Sequence, residues 1–166
     1  LIERFMHQTR LKYGAPQTLA INLASLATSG TVGRQSALVS NAIEGYADVL
    51  LELTVVLPTG TPVGEQAVFL WAAASLDGSL FTDNASGVEG SVTMRDPSNL
   101  VLVGRLDCPD AGGLTYRSPL WSLASVWQGV MPPFWSVVVR NITGLTLAAG
   151  SQVRYVPVSS ELRRIA

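Results

Sequence analysis

The chain has 166 residues and a mass of 17.6 kDa, which suits one domain with a full hydrophobic core of its own. Only 14% of its residues are charged, against about 25% in an average globular domain, and the net charge is −1. The scattered bases, ten Arg and one Lys, give no nucleic-acid footprint; the single cysteine, Cys108, excludes an intrachain disulfide and a thiolate metal cluster.

The first sixteen residues, LIERFMHQTRLKYGAP, differ from the rest. Leu1, Ile2, Phe5 and Met6 fit one face of a short helix, which Gly14 and Pro16 would end. Such a helix is marginal alone, so the segment reads either as an arm that docks on a neighbouring subunit or as a frayed terminus. LAINLASLATSG, interrupted by Asn22 and Ser25, reads as a strand rather than the core of a signal peptide. No apolar run approaches the ~18 residues of a membrane helix.

From Gln17 onward the pattern is β. In YADVLLELTVVL, Ala47, Val49, Leu51, Leu53, Val55 and Leu57 line one face, and Tyr46, Asp48, Leu50, Glu52, Thr54 and Val56 the other. AVFLWAAAS reads as a strand buried on both faces, and Asp77-Gly78 as a turn. SVTMRD and LVLVGRL are further strands, separated by PSN; CPDAGG and RSP punctuate the stretch before LWSLASVWQGVMPP. WSVVVRN is a strand apolar on nearly both sides, opened by two prolines that cannot donate ladder hydrogen bonds. Asn141-Ile142-Thr143-Gly144 supplies a turn, and LTLAAGSQVRYVPV closes the chain with strand pattern. The expected fold is all-β: a single β-sandwich of jelly-roll type at 17–158, with an N-terminal arm at 1–16 and a C-terminal tail at 159–166.

Catalytic inventory is thin. His7 is the sole histidine and lies in the arm, far from the geometry a Ser-His-Asp or Cys-His site demands. There is no phosphate-binding glycine loop and no zinc-protease motif. A glycosidase needs two carboxylates at a set separation, and the loop acids Asp77, Asp83, Glu89, Asp96, Asp107 and Asp110 leave that open. Asp77, Ser79, Asp83 and Asn84 form the best local set for calcium, but turn chemistry accounts for them better. Trp71, Trp121, Trp127, Trp135, Tyr116 and Phe134 allow a sugar-stacking platform, with Trp71 and Trp135 expected in the core and Trp121 and Trp127 exposed. Cys108 is expected to pack as a small apolar residue, and Asn141-Ile142-Thr143 to act as a turn rather than a glycosylation site. No catalytic residue, cofactor or metal is expected.

Four segments carry a family resemblance: YADVLLELTVVLPTGTPVGEQ, AVFLWAAASLDGSLFTD, DPSNLVLVGRL and MPPFWSVVVRNITGLTLAAGSQVRYVPV. Together they resemble the small β-sandwich virion proteins of tailed bacteriophages, found on heads as decoration or cement subunits. The resemblance implies a non-enzymatic structural protein on the capsid surface, whose partner is the major capsid protein. The low charge agrees, since a neutral surface self-associates unless neighbours cover it, so a homo-oligomer, dimer or trimer, is expected without nucleic-acid or membrane partners. Ile2, Phe5, Met6, Arg10 and Tyr13 are the expected assembly contacts. A tail or adaptor component is the alternative within the class, and a carbohydrate-binding module the alternative outside it.

Overall fold

The structure, a computed structural model, describes residues 7–110 and 113–164. The elements run β1 (His7–Tyr13), β2 (Gln17–Thr18), β3 (Val32–Gln35), β4 (Val39–Ser40), β5 (Asp48–Val56), β6 (Ala67–Ser75), β7 (Gly90–Thr93), β8 (Val101–Asp107), β9 (Thr115–Arg117), β10 (Trp121–Ser122), α1 (Leu123–Val126), β11 (Phe134–Asn141) and β12 (Gln152–Arg164). They form two antiparallel sheets. One has the order β1-β12-β5-β10, with β2 also on β12 and β9 also on β5; the other has the order β7-β3-β11-β6-β8, with β4 also on β11.

The two sheets face each other as a β-sandwich, and the alternation of apolar residues decides which faces meet. Val49, Leu51, Leu53 and Val55 of β5 pack with Val153 of β12 against Val68, Leu70 and Ala72 of β6 and Trp135, Val137 and Val139 of β11. Every one of these residues is at most 1% exposed. At about 1.5–3 kcal/mol for each fully buried large apolar side chain, this layer is the main stabilising element of the fold.

β6 and β11 are apolar on both faces because the second face is covered too. The excursion between β6 and β8 folds back over the outside of its own sheet, where β7 pairs with β3. There Ala85, Val92, Met94 and Leu100 bury against Ala73 and Val138, with Trp71 and Phe81 at the margin. Trp71 therefore belongs to this outer cluster, partly exposed, while Trp135 alone of the four tryptophans is fully buried.

Three segments differ from the sequence expectation. LAINLASLATSG is not a strand: its backbone is irregular, with Ser25 at φ 65°, yet Leu19, Leu23 and Leu26 are buried in the main core. Single backbone bonds tie it across, from Leu19 N to Val153 O at 2.9 Å and from Ser25 N to Leu147 O at 2.9 Å. LTLAAG is likewise irregular, and β12 begins only at Gln152. The helix expected in the first sixteen residues is replaced, over the described part, by strand β1, because β12 offers it a complete ladder from Val158 to Arg164. The boundary drawn at 158 thus falls inside β12, and 159–164 is strand.

One close approach makes a test of this packing. Gly104 of β8 lies beneath the Trp121 indole, and a methyl group there would overlap Trp121 Cε2. Gly104→Ala is expected to displace the ring and cost about 1–3 kcal/mol, as overpacking does. Urea unfolding together with a shift in tryptophan emission checks it.

Candidate assembly surface

β12 is longer than its neighbours. β5 pairs with it only from Gln152 to Val158, ending at Asp48, whereas β1 pairs from Val158 to Arg164. Beyond Asp48, β1 and β12 therefore continue as a two-stranded ribbon. Of its described side chains, residues 8–13 and 160–162 are exposed and Ser159 is partly so.

Residues directly opposite in the ladder share a face. One face of the ribbon carries Thr9, Leu11, Tyr13, Ser160 and Leu162; the other carries Gln8, Arg10, Lys12, Ser159 and Glu161. Leu11, Tyr13 and Leu162 are 57%, 61% and 75% exposed, an apolar stripe in water. On the polar face Lys12 Nζ donates to Glu161 Oε1 at 2.7 Å, and this bond holds the Glu161 carboxyl below its ordinary range.

The ribbon leaves the sandwich at one end, and the loops of that end are apolar as well. Ile43 in the β4–β5 loop, Leu76 and Leu80 after β6, and Val130 before β11 are 90%, 86%, 77% and 72% exposed. Leu76 and Leu80 border one open depression of about 440 Å³, and Val130 another of about 450 Å³. One is lined by Ala74, Leu76, Asp77, Leu80, Phe81 and Pro132, the other by Asn41, Ala42, Tyr46, Gly129, Val130 and Met131.

Polar side chains make this rim rigid. Asp48 Oδ1 accepts from Val49 N at 2.7 Å and Ala124 N at 2.8 Å, while Oδ2 accepts from Ser122 Oγ at 2.7 Å, locking α1 to β5. Asp77 Oδ1 accepts from Ser79 N at 2.8 Å and Leu80 N at 3.0 Å. The Leu80 and Ser79 amides hold the Asp77 carboxyl well below the usual carboxylate range. Asn41 closes its loop by accepting from Tyr46 N and donating to Tyr46 O.

Because the folded pKa values of Asp77 and Glu161 are depressed, their contribution is fully present above the ordinary carboxylate pKa of about 4. It is lost as pH falls through the folded values. The ribbon is accordingly expected to fray on acidification, read as loss of cross-strand NOEs between Leu11 and Ser160 while core NOEs persist.

Arg10 and Tyr13 thus lie on opposite faces of the ribbon, and Ile2, Phe5 and Met6 lie outside the described residues. The rim residues Ile43, Leu76, Leu80 and Val130 escaped the sequence reading, since isolated apolar residues in loops carry no periodic signal. The ribbon half contributed by β12 was missed too, although VSSELRR alternates weakly around Ser160 and Leu162.

The other candidate groups stay apart. Asp83 binds Ser98 Oγ, Asn99 N and Asn99 Nδ2, while Asn84 Nδ2 donates to Thr93 O, so this calcium set is occupied closing separate loops. Among the described residues no group of three His, Cys, Asp or Glu converges as metal ligands would. Asp77 lies just past the end of the nine-residue β6 and Asp107 pairs with Ala67 at its start, about 27 Å of strand apart, too far for a glycosidase pair. Trp121 and Trp127 pack partly on the main core and Trp135 is sealed in it, edge-on to Tyr155 at 5.8 Å. Trp71 lies on the outer face of the other sheet, with Arg140 above both it and Phe69.

Cys108 is fully buried after β8, and burial pushes its thiol up to about 12. No reaction with a disulfide reagent at pH 8 is expected until the chain unfolds. Since the folded pKa exceeds the unfolded one, stability is expected to fall as pH rises through about 8.5. No family model and no curated protein matches the chain.

Proposed function

We propose that this chain is a non-enzymatic structural protein of a tailed-phage virion, a decoration or cement subunit that binds the assembled head and bridges neighbouring capsid subunits. The observation that carries the reading is the exposed ribbon rising beside an apolar, rigid rim, a surface that leaves large apolar groups in water unless another protein covers it. The rest of the chain is spent on a sandwich with two buried clusters, a stiff support for such a surface.

Strand order supports the finer jelly-roll reading. With β1 and β2, β3 and β4, and β9 and β10 merged and the inserted β7 set aside, the chain has eight positions, ordered 1-8-3-6 in one sheet and 2-7-4-5 in the other. Two interleaved Greek keys give that order. The partner under this proposal is the major capsid protein, and preference for the shell over free subunits follows from multivalent contact.

Co-sedimentation of the purified chain with heads that lack it, and with free capsid subunits, tests the function. Binding to heads alone is the expected result. Deleting residues 1–16 is expected to weaken that binding about tenfold or more while urea unfolding stays cooperative, because none of the described side chains of β1, residues 8–13, enters either core. Binding to neither, with tryptophan emission quenched by a glycan, would favour a carbohydrate-binding module instead.

A further inference from the structure

We infer that the ribbon is an exchange arm for a second copy of this chain: two copies meet rim to rim across a two-fold axis, each laying its ribbon over the other's rim. This deepens the assembly reading above by naming the ribbon's occupant, and it stands without any shell.

The ribbon cannot account for its own order. Two strands in water are marginal without a third strand or a packing layer. Among the described residues, β1 has no neighbour beyond it and 159–164 has none on the side where β5 has ended, so both edges of the ribbon are open to pairing.

Charge identifies the occupant. The ribbon segments 7–13 and 159–164 carry Arg10, Lys12, Arg163 and Arg164 against Glu161, a formal +3. The body between, residues 14–158, carries six arginines against ten carboxylates, a formal −4. A basic arm on an acidic body is complementary to another copy of itself, and the rim it would meet displays Glu44 and Asp77, both exposed. The apolar surfaces match as well: Leu11, Tyr13 and Leu162 on the arm, Ile43, Leu76, Leu80 and Val130 on the rim, at the same end of the molecule.

Area agrees with the two-fold arrangement. The six pairs from His7↔Arg164 to Lys12↔Ser159 span about 20 Å at a width of about 10 Å, so each ribbon face covers about 200 Å². Two ribbons laid reciprocally bury about 800 Å² in total, and contact between the rims themselves adds to this toward the ~1,200 Å² of a specific interface. One ribbon alone would not come close. Reciprocity is also what closed two-fold symmetry provides.

Sedimentation velocity on the full chain, without any shell, tests the proposal. The wild type is expected to dimerise at micromolar concentration. Leu11→Ser with Leu162→Ser on the arm, or Ile43→Ser with Val130→Ser on the rim, is expected to raise the dimer dissociation constant about tenfold or more. Combining arm and rim changes is expected to cost less than the sum of the two, since they remove one contact. All these positions are exposed, so unchanged urea midpoints show that the fold survives. A strict monomer at about 100 μM, a trimer, or a dimer indifferent to either set overturns the proposal. A monomer that still binds heads does so while leaving the decoration function standing.

Discussion

Trp135→Ala lowers the unfolding free energy by about 3–5 kcal/mol, the range for removing a large aromatic from a packed core. Trp135 is 0% exposed in the middle of the sandwich, flanked along β11 by Val137 and met edge-on by Tyr155 from the opposite sheet. Its loss therefore leaves a cavity lined by both sheets, which rigid strands cannot collapse. A domain of this size is stable by about 5–15 kcal/mol, so the change removes a large share of the total. Urea unfolding followed by circular dichroism measures it. Trp135→Phe is expected to cost clearly less: the indole Nε1 has no hydrogen-bond partner within the protein, so the smaller ring surrenders volume and no bond. Equal losses for the two substitutions would mean that aromatic volume is not what the site needs.

Asn141→Ala is expected to cost about 2–4 kcal/mol. Asn141 sits at the end of β11, fully buried, and joins three segments. Its Nδ2 donates to Leu26 O at 2.9 Å and Leu145 O at 2.7 Å, while Oδ1 accepts from Thr143 N at 3.0 Å and Thr143 Oγ1 at 2.8 Å. Leu26 O also receives the Leu147 amide, and the Thr143 hydroxyl, whose single proton goes to Asn141 Oδ1 in the wild type, lies 3.1 Å from Leu145 O and can turn to it, so both carbonyls keep a donor. The Thr143 amide has no such second partner and becomes a buried orphan. Asn141→Asp is expected to be worse at neutral pH, because it removes both donated bonds and brings an unpaired charge inside. The same burial argues against glycosylation at Asn141, whose amide nitrogen is already committed.

The sandwich was legible where periodicity was strong. In β5 the face Val49, Leu51, Leu53 and Val55 is buried as the alternation predicts, and so is Leu57 just after it; only Ala47, before the strand begins, is exposed. The double-sided apolar runs of β6 and β11 correctly implied layers on both faces. Hydrophobicity misled in residues 19–30, where Leu19, Leu23 and Leu26 reach the core from a chain that makes no ladder. Apolar spacing reports burial, and burial does not require a strand. In the first sixteen residues the described part, His7–Tyr13, departs from the helix expectation for the opposite reason. Leu1, Ile2, Phe5 and Met6 suggested a helix, but the conformation of His7–Tyr13 is set by a partner some 150 residues away, which no local window contains. The rim was invisible because three loops far apart in sequence supply it.

The pairing of β1 with the end of β12 has a mechanical consequence. His7 and Arg164 lie side by side at the outer end of the described ladder, so a pull that separates them loads the cross-strand hydrogen bonds one rung at a time, as a zipper opens. Six rungs would part before tension reached the sandwich. A pull on both strands together, away from the body, is carried instead down β12 to its ladder with β5, where the bonds must shear at once. The molecule is thus compliant to tension between its two end strands and stiff to tension along them.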